Sequence, residues 1–376
     1  MKISIFGLTL SSSWGNGHAT PYRAIVRALA GMGHSVTFYE KDVHYYAAHR
    51  DLPQPDFCEL VLYDNWANVR RSALECAAES DVVMTASYCP DGSQIADEVL
   101  EQNGPVKIFY DLDTPITLAK LRSGEKVEYI RSEQLREFEL VLSWTGGRAL
   151  EELRDRWSVR MARPLFGCVD PDVYKREVPR DEFKCALSYM GTYATDRQDK
   201  LDQLFLEPSR NRSELTFLLA GSLYPWTWQW GDNVKKLDHV RPSDHPALYS
   251  SSKCTLNITR AEMAESGFCP SGRFFEAAAC GTPIISDWFE GLDHFFTEGE
   301  EIFISRSAQD TLMALDSPLD QLQTMASRAR ERTLNENTGR HRAEQLLQYC
   351  DEARASRPSR TDWDVSEITE KVREVA

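Results

Sequence analysis

The chain has 376 residues, 42% of them hydrophobic and 27% charged, with a formal net charge of -15. That length suits two globular domains, and the acidic balance argues against a general nucleic-acid binder while leaving room for a local basic pocket. The nine cysteines show no Cys-x-x-Cys pair, so reduced thiols and no metal site are expected, and no apolar run is long enough to span a bilayer.

The opening Met1-Lys2-Ile3-Ser4-Ile5-Phe6 carries one Lys and breaks at Gly7. It reads as a first buried strand and not as a signal peptide, which makes a cytoplasmic protein the expectation. Strands are expected at residues 3–8, 35–39, 82–85, 106–110 and 140–143, all short apolar runs. A helix is expected over 21–32, with Thr20 as N-cap, Pro21 in the first turn and Gly33 as its stop. Strand, glycine-containing loop, helix and strand in this order open a doubly wound α/β domain.

Residues 161–172 read as a linker between domains at 1–165 and 166–340. A second strand series is expected at 185–190, 216–220, 255–258, 283–286 and 301–304, followed by two helices across 308–353. Residues 341–376 read as C-terminal helices, and the stretch beyond Pro358, with Trp363, is expected to pack back on the first domain. The aromatic cluster Tyr224-Pro225-Trp226-Thr227-Trp228-Gln229-Trp230 is expected to fill a core or a domain interface more than to stack on sugars.

Several loops follow strands directly. Ser11-Ser12-Ser13-Trp14-Gly15-Asn16-Gly17-His18 has glycines that let the backbone approach a ligand, yet lacks the Gly-x-Gly-x-x-Gly spacing of a dinucleotide site. His18 suits an acid, a base or a hydrogen-bond donor, or caps the helix near Thr20. In Tyr110-Asp111-Leu112-Asp113-Thr114-Pro115 two carboxylates at a strand end suit a metal or a base, or Asp113 caps the next helix. Met190-Gly191-Thr192-Tyr193-Ala194-Thr195-Asp196-Arg197 is at its plainest a βα turn with Asp196 as N-cap.

The segment richest in chemistry is 273–287, Arg273-Phe274-Phe275-Glu276-Ala277-Ala278-Ala279-Cys280-Gly281-Thr282-Pro283-Ile284-Ile285-Ser286-Asp287. It describes a small-residue helix ended by Gly281 and then a Pro-led buried strand. Preceded by Pro270-Ser271-Gly272, the helix offers free N–H groups and a positive dipole end. A diphosphate suits that end, with Arg273 adding charge and Glu276 accepting from ribose hydroxyls. The alternative is an ordinary crossover in which Arg273 and Glu276 form a surface pair.

This segment resembles the sugar-nucleotide motif of the group 1 glycosyltransferases. With Leu256-Asn257-Ile258-Thr259-Arg260, Pro270-Ser271-x-Arg273-x-Phe275-Glu276 and Ile285-Ser286-Asp287 it resembles their CgeB-like branch, across nearly the whole chain. The resemblance implies a GT-B type α/β fold, two Rossmann-like domains facing across a cleft, with the donor held mainly by the second. It implies donor-nucleotide contacts from Gly191, Tyr193, Arg197, Arg260, Ser271, Arg273 and Glu276, and base-site candidates at Pro242 and His245. Trp14, Gly15, Asn16, Gly17, Thr114 and Gly146 would line the cleft on the acceptor side, with His18 and Asp113 as catalytic candidates. Better-known relatives carry a further glutamate, separated from Glu276's counterpart by seven intervening residues. Phe268 stands there, and Glu265 substitutes only across a three-residue insertion.

The expected activity is metal-independent transfer of a sugar, from a UDP-sugar by preference, to an unidentified acceptor, with no cofactor. A sugar-nucleotide epimerase and a non-catalytic nucleotide-sugar binder are the alternatives.

Overall fold

The computed structural model describes residues 1–357 apart from 226, 227 and 229, so the expectation for Trp363 lies outside the described residues. Two wholly parallel sheets account for the strands. The first has the order β3-β2-β1-β4-β5-β6-β7, with β1 Lys2–Gly7, β2 Ser35–Lys41, β3 Glu59–Tyr63, β4 Val82–Ala86, β5 Val106–Asp111, β6 Leu140–Ser143 and β7 Ala162–Pro164. The second has the order β10-β9-β8-β11-β12-β13, with β8 Cys185–Met190, β9 Phe217–Ala220, β10 Val234–Leu237, β11 Ser252–Asn257, β12 Ile284–Ser286 and β13 Phe303–Ile304. The chain is α/β with two Rossmann-like domains.

Every residue of β4, β6 and β9 is buried, which is why these strands read as unbroken apolar runs. The strands missing from the sequence expectation, β3, β7 and β10, all lie at sheet edges. Most of their residues are partly or fully exposed, and β7 and β10 are short and interrupted by charged residues, as in Val234-Lys235-Lys236-Leu237. In each sheet the first strand of the domain, β1 or β8, is flanked by strands reached in opposite directions. The crevice outside the carboxyl ends of such strands is where α/β sheets take ligands.

Three expectations need correction. The first helix is Ala19–Gly31, so Thr20 lies inside it and is not its cap; Asn16 Oδ1 accepts from the His18 and Ala19 amides instead, at 3.1 and 3.2 Å. Residues 308–353 hold three helices, Ala308–Leu315, Leu319–Glu336 and Gly339–Ala355, because Pro318 cannot continue the first and Thr338 starts the third as a side-chain N-cap. The expected linker contains β7 and, at Val169, a one-residue bridge to Thr338.

The helix Gly339–Ala355 belongs to the first domain's core. Ala343, Leu346, Cys350 and Ala353 pack among Tyr22, Leu29 and Tyr110, and a Cβ on Gly339 would lie 2.3 Å from the Ala24 carbonyl oxygen. The domains also meet beside the cleft, where the Gly146 amide donates to the Phe268 carbonyl at 3.0 Å. Trp144 Nε1 donates to the Pro270 carbonyl at 2.8 Å. Among the described residues no helix is long and apolar enough to cross a membrane.

Candidate active site

On the first domain, loops leaving β1, β4 and β5 form one wall of the cleft. The β1 loop is organised by a buried carboxylate, Glu40 at the end of β2. It accepts from the Leu10 and Ser11 amides at 2.7 and 2.9 Å and from the Thr9 and Ser11 hydroxyls at 3.0 and 2.5 Å. A buried charge persists only when satisfied in this way. Asn16 holds the same loop, its Nδ2 donating to the Ser12 and Trp14 carbonyls while its Oδ1 holds the helix start. Both ends of that amide are engaged internally, so Asn16 shapes the turn. Gly15 is left-handed, with φ 64°, and a Cβ there would fall 2.5 Å from the Tyr45 hydroxyl; Gly17 has open space around it. Trp14 bridges the cleft, stacked on His49 at 3.9 Å and against His239 of the second domain at 4.0 Å.

The two catalytic candidates meet. His18 Nε2 lies 3.2 Å from Asp113 Oδ2, with side chains 11% and 23% exposed. Both precede helices, Ala19–Gly31 and Thr114–Ser123, without a side-chain cap bond, so the capping readings fall. His18 Nδ1 is buried without a partner among the described residues. Beneath the pair, Asp111 accepts from the Asp113 amide at 3.1 Å, and burial pushes its carboxyl up to about 7. Thr114 is fully buried, its hydroxyl shared between the Asp111 carbonyl and Ser143. It is therefore a foundation of this loop and not an acceptor contact.

Tyr88, after β4, escaped the sequence reading. It is left-handed, with φ 60°, a conformation costly for a bulky residue and found preferentially at functional sites. Its ring stands edge-on to His18, centroids 5.5 Å apart, and its hydroxyl bonds to no described residue. Burial, then the charges of Asp113 and Asp111, hold that hydroxyl protonated well above the usual tyrosine range. Only the sterically forced φ would have betrayed it, and φ is not written in the sequence.

The second domain forms the opposite wall. The loops after β8 and β9 touch at two glycines: a Cβ on Gly221 would lie 1.9 Å from the Gly191 carbonyl oxygen. A Cβ on Gly191 would lie 2.6 Å from Arg273 Nη1. Arg273, in the first turn of the helix Gly272–Ala279, donates from Nη1 to the Met190 carbonyl at 2.5 Å and from Nε to Ser271 Oγ at 3.1 Å. Ser271 is thus the N-cap, its hydroxyl occupied by Arg273. Arg197 is 9% exposed and donates from Nη2 to the Thr192 carbonyl at 2.6 Å, while its Nε has no partner among the described residues. Burial and the neighbouring Arg273 cation lower its affinity for its proton. Among the described residues neither arginine forms an ion pair. Tyr193 is half-buried, edge-on to Tyr224 and Trp228 at 5.6 and 6.1 Å; with Trp230, Trp228 packs partly buried on the second core.

Arg260 pairs with Asp196 at 3.1 Å, and Asp196 Oδ2 also accepts from the Ala261 amide at 3.1 Å. Asp196 therefore caps the helix Ala261–Ser266 and not the segment that follows it in sequence. Arg260 and Asp113 feel each other's charge across the cleft. Glu276 is buried, taking a hydrogen bond from Tyr249 at 3.3 Å; burial pushes its carboxyl up to about 7, with Arg273 offsetting only part. It is not a surface pair with Arg273.

Three expected contacts sit apart. Gly146 is enclosed by Phe268 and Phe166 at the domain junction and does not line the cleft. His245 has both ring nitrogens engaged, with the Val240 carbonyl and the Tyr174 hydroxyl, and burial lowers it to about 4; Pro242 starts the short turn ahead of it. Phe268 is left-handed, φ 46°, its ring wedged against Gly147 and Gly291 and its Cβ against Gly146. Glu265 lines a separate cavity of about 280 Å³ between the helices Thr114–Ser123, Arg148–Asp155 and Ala261–Ser266. Among the described residues no group of three or more His, Cys, Asp or Glu is placed to hold a metal ion.

Two facing Rossmann-like domains, with arginines on one wall of the cleft and a His–Asp pair on the other, define a protein of the GT-B glycosyltransferase fold. Residues 197–348 match the family described as glycosyl transferase-like. The fold is shared with a sucrose-phosphate synthase from Thermosynechococcus elongatus, at TM-score 0.65 and 13% identity over 95% of this chain and 100% of that one. An alpha-glucosyltransferase in complex with UDP-glucose and DNA containing an abasic site gives 0.69 and 12% over 93% and 99%. Anabaena HepE in complex with UDP-glucose gives 0.66 and 12% over 94% and 100%. No curated protein sequence matches the chain.

Proposed function

We propose that this protein transfers the sugar of a nucleoside diphosphate sugar to an acceptor bound against its first domain. The observation that carries the reading is the cradle of Arg273 and Arg197 around Gly191, at the start of the helix Gly272–Ala279. Arg197 carries its charge at a cost, buried and beside the Arg273 cation, and a bound diphosphate relieves that cost. Amides and cations aimed at the leaving diphosphate stabilise the charge it gains, the service a divalent metal gives elsewhere, so no metal or cofactor is invoked. Glu276 lies one turn further along the helix and is assigned to the ribose hydroxyls in this reading. UDP is the favoured nucleotide, in keeping with the UDP-glucose complexes among structurally similar proteins.

Within the group 1 enzymes, the residues around Arg260, Arg273 and Asp287 favour the CgeB-like branch. All nine cysteines are free, which supports a cytoplasmic location, and the net charge of -15 opposes a nucleic-acid acceptor. Neither the epimerase nor the non-catalytic reading is favoured by an observation of its own. Calorimetry of UDP binding to the wild type, Arg273→Ala and Glu276→Ala tests the site: at least a tenfold loss is expected in each, and unchanged affinity in both refutes the assignment.

A further inference from the structure

Resting on that reading, we infer that the cavity of about 280 Å³ between the helices Thr114–Ser123, Arg148–Asp155 and Ala261–Ser266 is a subsite for the acceptor, taking a neutral or amino-bearing sugar unit. The first and third of these helices begin directly after Asp113 and Arg260, which feel each other's charge across the cleft. Pro115, Leu118, Ala119 and Arg122 line the cavity, and their spacing puts them on one face of the first helix. From Pro115 to Arg122 a helix rises about 10 Å. The cavity therefore starts beside the cleft and extends about that far from it.

The lining selects the ligand. Leu118 and Ala149 are buried and give an apolar floor, and a few polar groups around such a floor are the composition of a small-molecule site. Both guanidiniums of the wall are already engaged. Arg122 Nη1 donates to Glu152 Oε2 at 2.7 Å, and Arg148 donates to the Glu290 carboxylate and the Glu265 carbonyl. The carboxylates are not. Glu152 Oε1 and Glu262 Oε2 are buried without a hydrogen-bond partner among the described residues, Glu262 standing 4.0 Å from Arg260. Glu265 lines the same wall. Buried acceptors left unpaired are costly, and a ligand that brings donors removes the cost.

A sugar unit meets these conditions: its C–H faces suit the floor, and its hydroxyls or an amino group donate to the open carboxylate positions. A phosphorylated sugar does not, because it sets more negative charge against three carboxylates whose neighbouring guanidiniums are taken. The reacting hydroxyl of the acceptor stays in the cleft, and the cavity holds the unit beside it. Neither Arg273 nor Arg197 lines the cavity, so a defect there is separable from a defect in donor binding.

Saturation-transfer NMR titrations on the full chain, with and without UDP, read the cavity directly. The probes are glucose, galactose, N-acetylglucosamine, glucosamine, maltose and lactose, with glucose 6-phosphate as the anionic comparison. At least one neutral or amino sugar should bind the wild type. Ala119→Trp, whose indole fills the cavity, should abolish that binding and leave UDP affinity by calorimetry unchanged. Three results would each overturn the inference: no sugar bound, sugar binding retained in Ala119→Trp, or glucose 6-phosphate bound as tightly as glucose. Should Ala119→Trp fail to fold, by its melting curve, Glu262→Gln decides. It should weaken sugar binding about tenfold, the worth of one hydrogen bond to a charged acceptor, at unchanged UDP affinity; an unchanged sugar affinity would refute the site. Absence of UDP binding to the wild type would overturn the transferase reading by itself, and the sugar titrations would still decide whether the cavity binds a saccharide.

Discussion

Glu276→Gln separates a functional from a structural reading of the donor site. The carboxyl is buried in the second domain, the residue 8% exposed, and burial pushes it from its ordinary value to about 7. Linkage converts that displacement into a cost of about 3 kcal/mol to the folded state at pH 8, where the group is ionised in both states. An amide of the same shape avoids ionisation and keeps an acceptor for Tyr249. Allowing for its own burial, a net gain of about 1–2 kcal/mol at pH 8 is expected, which is ~3–6 °C in melting temperature for a domain of this size. At pH 5 wild-type Glu276 is protonated, and the difference should vanish. UDP affinity should fall at least tenfold at pH 8, because the charged acceptor for ribose hydroxyls is gone. Differential scanning fluorimetry at both pH values, with calorimetry of UDP, makes the comparison. A variant less stable than wild type at pH 8 that binds UDP normally would refute the reasoning, since Glu276 would then serve the fold alone.

Gly221→Ala should cost about 2–4 kcal/mol in chemical denaturation, because its methyl would overlap the Gly191 carbonyl oxygen and drive the loops after β8 and β9 apart. Gly31→Ala, which meets nothing within 4 Å, is the control that should leave stability unchanged or raise it slightly. Tyr88→Phe should change stability by less than about 0.5 kcal/mol, since its hydroxyl has no partner among the described residues, yet lower donor turnover about tenfold. Asp111 and Glu276 are both raised to about 7, so the native state holds protons that the unfolded state releases above the ordinary carboxyl range. Stability should therefore be complete below about pH 4 on their account and fall as pH rises to about 7, and Asp111→Asn should flatten that decline. Asp51 and Asp196, in which burial is outweighed by Arg23 and Arg260, are held low and act oppositely, losing stability as pH falls through their range. Melting temperatures between pH 3 and 8 should accordingly peak near pH 5.

The α/β class and the central strands were legible because strands buried on both faces need continuous apolar runs, as at β4, β6 and β9, and no tertiary information is required to see them. The edge strands β3, β7 and β10 were not, because β3 is largely exposed and β7 and β10 are short and interrupted by charged residues, so none presents a continuous buried apolar run. The same division runs through the cleft. Helix-start chemistry at Ser271-Gly272-Arg273 and the carboxyl at Glu276 are local patterns, so the chemistry this segment can offer was legible directly. The pairing of His18 with Asp113, 95 residues apart in sequence, exists only because β1 and β5 flank β4 in one parallel sheet and deliver their loops to one edge. Tertiary packing likewise buried Thr114, spent Asn16 on its own loop and sent Gly146 to the domain junction. Residue type and spacing determine which chemistry a segment can offer; exposure, φ and the partner across the cleft decide whether it is offered, and those are set by the packing of two sheets against each other.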